Sequence, residues 1–412
     1  MESHSYFTHL STELLIKIFH FLDISDLCKL KQTCKRFNEV ILSWDYVLLK
    51  NIYPLVTNQQ SNIFLSRCQQ HLSVFEKIRI SKNWKIGRYK EKDLLFVKRR
   101  YMPWLYLTDK SVWISRGRNI YCYERFRVNV SRTKVIFQGR SIADVGHFQI
   151  KNNFIVTGQR DGSMWLTSLQ DRKVIFDEKE CHESDINSVD ISLSGDIIVS
   201  GSRDNRFKVW RVDYDTDTGA LKKSHDQVFY DRVLRVSLSD DQPLLAVGTS
   251  GNNYRATLFV YDLERILDPV ELSASRFGSG VLDLKWDTPH TIWSCGYDTC
   301  LRRWDLRTGK SEQNFYDPHA SVVYCLEYDY YNTIMTGTQS YGRVILWDIR
   351  QPRSVQLYFM GCCKGNGTKN SPIYSLSFDS ECLFTATDRN LNVLDFSVYN
   401  GVVEDYSFCC TY

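Results

Sequence analysis

The sequence predicts an all-β propeller of seven blades preceded by a small all-α domain. Three observations predict it. A strand–turn–strand unit, plainest at 197–210, recurs along the chain at a near-fixed period. Aromatic residues make up 14% of the 412-residue chain, with 10 Trp and 24 Tyr, a composition that favours strands. Only the first fifty residues place their apolar side chains at helical rather than alternating spacing.

The helical unit spans 5–50. Leu14, Leu15, Ile18 and Leu22 make one amphipathic stripe, with Ser11 available as N-cap. Leu27, Leu30, Cys34, Phe37 and Ile41 follow at spacings of 3, 4, 3 and 4, which predicts one continuous helical stripe. A third short helix is predicted around 44–50. A unit of this size is marginal on its own core. Phe7, Leu10, Phe19, Phe21 and Ile24 are more apolar residues than three short helices bury. They predict packing against the rest of the chain or against a partner's groove.

Residues 51–92 read as a helical, basic linker. Ten Lys/Arg fall within 77–100 against two acids, Glu91 and Asp93. Such a run reads first as a solvated face; the alternative is a patch for an acidic peptide, RNA or phosphoinositide. Aromatics for base stacking are sparse there, and the net charge of +4 is too small to argue for nucleic acid. Residues 93–99 then read as a strand with no local partner.

The repeat occupies 93–398. Aligned on Trp210, the copies place Tyr123, Thr167, Trp210, Tyr261, Trp304, Trp347 and Leu394 in register, at intervals of 44, 43, 51, 43, 43 and 47. Each copy carries an upstream strand pair, such as 187–193 with 197–202, so the period holds strands. Seven such copies make seven blades. The lone strand at 93–99 would close the ring against the last blade, and 399–412 remains as a polar tail.

Two resemblances follow from these residues. The segments FKVWRV, LRRWDL and VILWDI are similar to the strand ends of WD-repeat blades. The stretch LSTELLIKIFHFLDISDLCKLKQTCKRFNEV resembles an F-box: Leu10, Glu13-Leu14, Ile18-Phe19, Leu22, Asp26-Leu27 and Cys34-Lys35-Arg36 match its pattern. Ser11 stands where the family has Pro, and Leu49 where it usually has Trp. NWKIGRY (83–89) and CGYDTCLRRWDLRTG (295–309) also resemble stretches found in proteins that join an F-box to WD repeats.

The resemblance implies a non-catalytic substrate receptor of a Skp–cullin–F-box ubiquitin ligase. The Skp adaptor would bind Leu10, Glu13, Leu14, Ile18, Phe19, Leu22 and Leu27. Within blades it implies a buried His–Ser/Thr–Asp–Trp chain: His182, Ser200, Asp204 and Trp210 in one blade, Asp298 with Trp304 in another, and His319 with Trp347, whose separation of 28 equals that of His182 and Trp210. Family substrate pockets lie at the channel mouth, at the residue before the turn Asp and early in the inner strand. The first position gives Arg160, Arg203 and Tyr297 and the second Asn187, Leu234, Leu282, Tyr324 and Tyr374; Arg160, Arg203, Tyr297, Tyr324 and Tyr374 are the expected substrate contacts. They suit a protein substrate with one acidic or phosphorylated residue and an apolar or aromatic anchor. The competing class is a WD-repeat scaffold without ubiquitin transfer.

No His/Cys cluster has zinc spacing and no nucleophile–base constellation is readable, so no metal, cofactor or catalytic group is expected. No run approaches a membrane span, and the first residues lack a cationic-then-apolar leader. Thirteen Cys, none in a C-x-x-C pair, predict reduced thiols in the cytosol or nucleus.

Overall fold

Seven antiparallel sheets follow one another along the chain, six of four strands and one of five. The computed structural model describes residues 9–22, 24–43, 54–214, 220–252, 256–266, 268–273, 278–360 and 371–410. Blades one to six cover 105–138, 145–178, 186–228, 233–272, 281–316 and 323–359. The seven aligned repeat residues all fall on the third strand of their blades, from Tyr123 on Asn119–Phe126 to Leu394 on Asn390–Asp395. Trp293, Trp304, Trp347, Phe207 and Phe384 are fully buried between sheets. This is the interlayer core that a propeller builds from period-two strands.

The innermost strands are stitched side chain to backbone across blade boundaries. The Val189 N–H donates to His147 Nδ1 at 3.2 Å, the Leu238 N–H to Asp190 Oδ2 at 2.8 Å, and the Leu326 N–H to Asp283 Oδ2 at 3.0 Å. The Leu105 N–H donates to Ser375 Oγ at 3.1 Å, which carries the stitching from blade seven back to blade one. Each bond satisfies a buried backbone donor that an inner strand would otherwise leave open.

Blade seven takes its outer strands from both ends of the chain. The strand Arg88–Phe96 pairs antiparallel with Asn390–Asp395, and Val402–Val403 pairs with Arg88 and Tyr89 on its other side. The sequence reading placed this strand at 93–99; it begins at Arg88, inside the segment read as linker, and ends at Phe96. Its first half, RYKEKD, faces solvent at Lys90, Glu91, Lys92 and Asp93 and so shows no apolar alternation. The segment read as a polar tail is likewise built in. Gln356 holds Asp405 Oδ1 at 2.9 Å, and Cys410 is buried in the core of blades five and six.

The helical unit contains Thr12–Phe19, Ile24–Lys31 and Lys35–Ser43. The stripe read as one helix over 27–41 is therefore two. Thr33 Oγ1 donates back to the Leu30 carbonyl at 2.7 Å, and Cys34 Sγ accepts from the Phe37 N–H at 3.4 Å as the next helix begins. The apolar spacing survives the break because both helices face one core. The helix predicted around 44–50 lies outside the described residues.

Residues read as a helical connector are mostly irregular from 54 to 73, with one short helix, Asn62–Leu65. A second helix, Val74–Lys85, starts with a capping box between Ser73 and Glu76. Val74 and Ile78 lie in the core of the helical unit, whereas Ile80 and Trp84 lie in the core of blades six and seven. One helix thus belongs to both domains. The irregular stretch before it is pinned to the propeller. Asn58 Nδ2 donates to Asp329 at 2.8 Å, Gln59 Nε2 to Ser380 at 2.9 Å, and Arg67 pairs with Glu327 at 3.0 Å.

Candidate functional site

The blade braces show what holds the exposed loops. In blade three, Trp210 Nε1 donates to Ser200 Oγ at 2.9 Å, Ser200 Oγ meets His182 Nε2 at 2.7 Å, and His182 Nδ1 meets Asp204 Oδ2 at 2.8 Å. Burial depresses the His182 pKa against the pull of Asp204. Burial also opposes ionisation of Asp204, but the His182 bond and backbone N–H groups outweigh it and hold the carboxyl below its usual range. The chain runs from the sheet interior to the turn that carries Arg203.

The other two sets differ. In blade five, Trp304 Nε1 donates to Ser294 Oγ at 2.8 Å, while Asp298 pairs with Arg302, whose Nε lies at 3.0 Å. The two halves are separate. In blade six, Trp347 Nε1 donates to Thr336 Oγ1 at 2.9 Å, but His319 is exposed and belongs to no brace. Its N–H donates to Asp317 Oδ1 at 2.7 Å, in a turn where Ala320 takes φ +51°. Asp317 in turn holds the buried Arg343 guanidinium at 2.5 Å, an ion pair that replaces the histidine.

One end of the propeller is formed by the loops entering each inner strand and by the turns between second and third strands. Backbone bonds tie the two: the Arg160 N–H donates to the Asp144 carbonyl, Arg203 to Asp185 and Tyr297 to Gly280, at 2.9, 2.9 and 3.0 Å. The residue before each turn Asp is therefore fixed beside the start of the inner strand. Arg160 and Arg203 share one carboxylate, Asp185, at 3.7 and 4.0 Å. Tyr324 and Tyr374 lie with ring centroids 5.9 Å apart. Burial, and then the neighbouring Tyr374 and Tyr297, push the Tyr324 phenol up. Tyr374 is raised by burial and by Asp388, while Arg100 and Arg160 pull the other way. All five residues thus gather on one face, arginines on blades two and three and tyrosines on blades five to seven. The sequence reading does not name Met102, whose sulfur meets Arg160 Nη2 at 3.0 Å, nor the exposed Ile142 and Tyr230 on the same loops.

The opposite end is covered by the segment 54–72 and carries the helical unit. There the predicted adaptor residues separate. Phe19 and Leu27 are buried in the unit's own core and present no surface, so their assignment as contacts is corrected. Leu15 and Phe19 point inward at i, i+4. Leu14, Ile18 and Phe21 follow on the neighbouring face, and Leu14 is 49% and Phe21 87% exposed. Glu13 is exposed, and Leu10 and Leu22 are half-buried beside them. Phe21 was counted only as a surplus apolar residue in the sequence.

The basic run 77–100 does not form one surface. Lys77 donates to the Asn58 carbonyl at 3.2 Å; Arg79 donates to the Ser397 carbonyl at 2.7 Å and covers the Tyr399 ring. Burial depresses the Lys85 pKa. Lys98, Arg99 and Arg100 lie at the other end of the propeller, in the loop entering blade one.

Comparison with known proteins agrees with the two-part fold. Residues 9–49 match the model of the F-box-like family, and 175–211 match that of the WD domain, G-beta repeat. F-box/WD repeat-containing protein 4 of Homo sapiens, also called dactylin, is 33% identical over 399 residues, covering 94% of this chain and 92% of that protein. Its Mus musculus counterpart matches equally, at 33% over 399 residues. The chain belongs to the F-box/WD-repeat family. A ribosome biogenesis protein, the WDR12 homolog of Oryza sativa subsp. japonica, is 26% identical over 56% of this chain.

In this F-box/WD-repeat protein the NWKIGRY stretch makes specific contacts with the last blade. Asn83 Nδ2 donates to the carbonyls of Phe396 and Val398, both at 2.8 Å, and Trp84 Nε1 to that of Ser380 at 3.1 Å. Gly87 takes φ +63°, and a Cβ there would lie 2.1 Å from the Glu404 carbonyl oxygen. Tyr89 hydrogen-bonds Glu404. The motif docks the F-box unit onto the last blade.

Proposed function

We propose that this F-box/WD-repeat protein is the substrate-recognition subunit of a Skp–cullin–F-box ubiquitin ligase and performs no chemistry itself. The observation that carries the reading is the shared helix Val74–Lys85. It fixes an apolar strip (Leu14 and Phe21 exposed, Ile18 half-buried between them) at one end of the molecule relative to an arginine–tyrosine face at the other. The strip suits the Skp adaptor, which brings the cullin. The far face suits a protein substrate with an acidic or phosphorylated residue and an aromatic or apolar anchor. The rate gain would come from raised effective concentration of substrate near the conjugating enzyme. The proposal places the complex in the cytosol or nucleus, where thirteen thiols stay reduced.

The test is co-purification of the Skp adaptor with the full chain. Leu14→Asp or Phe21→Asp is expected to abolish capture while leaving the propeller folded. Capture that survives both changes refutes the reading. A chain that binds partner proteins through the arginine–tyrosine face but never the adaptor is a scaffold.

A further inference from the structure

Ring closure by Arg88–Phe96 creates a feature that no blade makes alone. The chain leaves that strand at Phe96 and crosses to blade one through 97–104. On the way the Val97 N–H donates to the Arg389 carbonyl at 2.9 Å, and the Tyr101 N–H to that of Asp388 at 2.8 Å. The Tyr101 ring lies against Gly117, about which blade one turns; a Cβ there would be 3.5 Å from Tyr101 Cε1. Three segments, 97–104, 116–119 and 387–390, thus meet around a narrow cleft between blades seven and one. Its lining is largely apolar (Leu95, Val97, Ile114, Leu391), and Arg116 and Arg389 bring charge to it.

The charge in this place is one-sided. The three segments carry six cations, Lys98, Arg99, Arg100, Arg116, Arg118 and Arg389, and one carboxylate, Asp388, while Asp144 approaches Gly117 from the loop entering blade two. Arg100 holds that carboxylate at 3.3 Å, and Ser371 also donates to it. Among the described residues no carboxylate lies within ion-pair distance of Lys98, Arg99, Arg116, Arg118 or Arg389. The Nε atoms of Arg116 and Arg389 are buried without a hydrogen-bond partner, although a buried donor on a charged group normally finds one. Arg116 donates through Nη2 to the Tyr123 hydroxyl and covers the Tyr121 ring, 4.7 Å from its centroid, so only its buried Nε is left without a partner. Like charges held this close on a fixed backbone repel one another unless something acidic joins them.

We propose that the basic rim beside the blade seven–blade one cleft, formed by Lys98, Arg99, Arg116, Arg118 and Arg389, binds a run of acidic side chains on the substrate, outside the channel mouth where Arg203, Tyr324 and Tyr374 lie. The inference rests on reading that end of the propeller as the substrate face, and it extends the recognised segment beyond a single charged residue. Planar guanidinium groups suit carboxylates, and exposed arginines at a rim steer an acidic partner before it docks.

The probe is a fluorescein-labelled peptide with six consecutive Glu following a Tyr, compared with the same peptide carrying Gln. The receptor is the full chain and its Lys98→Glu/Arg99→Glu/Arg118→Glu variant, whose three positions are exposed and leave thermal unfolding unchanged. The expected result is salt-sensitive binding of the Glu peptide, weakened at least about tenfold by the triple variant or by Gln. An unchanged affinity in the triple variant overturns the inference. If Arg203→Glu still weakens binding in that case, the substrate face stands and only the basic rim fails. If neither weakens it, both fail. Tighter, equally charge-sensitive binding of poly(U) RNA or of phosphoinositide vesicles than of the Glu peptide also overturns it.

Discussion

Trp84 stacks on Phe396, with ring centroids 3.5 Å apart and planes 15° from parallel. Tyr358 closes the same cluster edge-on and donates its hydroxyl to the Trp84 carbonyl at 2.6 Å. This contact joins the helix of the F-box unit to the last strands of the propeller, over 300 residues away in sequence. Trp84→Ala is expected to destabilise the chain by about 3–5 kcal/mol, the usual cost of removing a large buried aromatic. Phe396→Ala should cost a similar amount, and the double variant less than the sum, because the two share one cavity. Urea unfolding of the three variants checks this. Strict additivity would contradict a direct coupling.

The braces predict unequal blades. Ser200→Ala leaves Trp210 Nε1 and His182 Nε2 without their shared partner, at a cost of about 1–3 kcal/mol. His319→Ala, at an exposed position outside any brace, should fall within about 0.5 kcal/mol of the parent. Unfolding midpoints of the two variants distinguish this from equivalent histidine braces, which would give equal losses.

His147 predicts an acid sensitivity. Burial, and then the positive charges of Arg235 and Lys285, hold its pKa well below the ordinary value. The depressed folded value means that the unfolded chain binds the proton more tightly. Its stabilising contribution is complete above the unfolded pKa of about 6.5 and is lost progressively as the pH falls below that toward the folded value. His182, depressed in the same direction by burial, adds to the slope. His147→Gln should flatten the fall in stability between pH 7 and pH 5. An identical slope in parent and variant would assign the acid sensitivity elsewhere.

The two faces of the first helix should separate stability from binding. Phe19→Ala empties the core of the helical unit and should cost about 3–5 kcal/mol. Phe21→Ala touches an 87% exposed side chain and should leave stability within about 0.5 kcal/mol while weakening adaptor capture. Equal effects of both changes on stability and capture would contradict this division.

Much of the fold was legible because propeller blades repeat a local pattern, and the third-strand position recurs whether it holds Trp210, Tyr261 or Leu394. The blade-three brace was legible for the same reason. The errors have local causes. A spacing of 28 between His319 and Trp347 matched the pattern, but spacing does not report the left-handed turn at Ala320 or the competing Arg343–Asp317 pair. The closing strand extends five residues before the expected start because Lys90–Asp93 is polar on both faces and hides it. Phe19 and Leu27 were read as contacts because a motif match does not say which side of a helix is buried. Phe21, two residues past the helix end, has no periodic signal. Arg160 and Arg203 could be placed on one face by their turn positions; the Asp185 between them could not.

The central claim is that one chain carries an adaptor surface and a substrate surface at opposite ends. Affinity capture under proteasome inhibition, compared between the parent, Leu14→Asp and Arg203→Glu/Tyr324→Ala, tests it most directly. The account predicts a set of proteins held by the parent and by Leu14→Asp but lost from the Arg203→Glu/Tyr324→Ala variant, with ubiquitin conjugates present only in the parent. A captured set indifferent to Arg203 and Tyr324, or conjugates undiminished by Leu14→Asp, would contradict it.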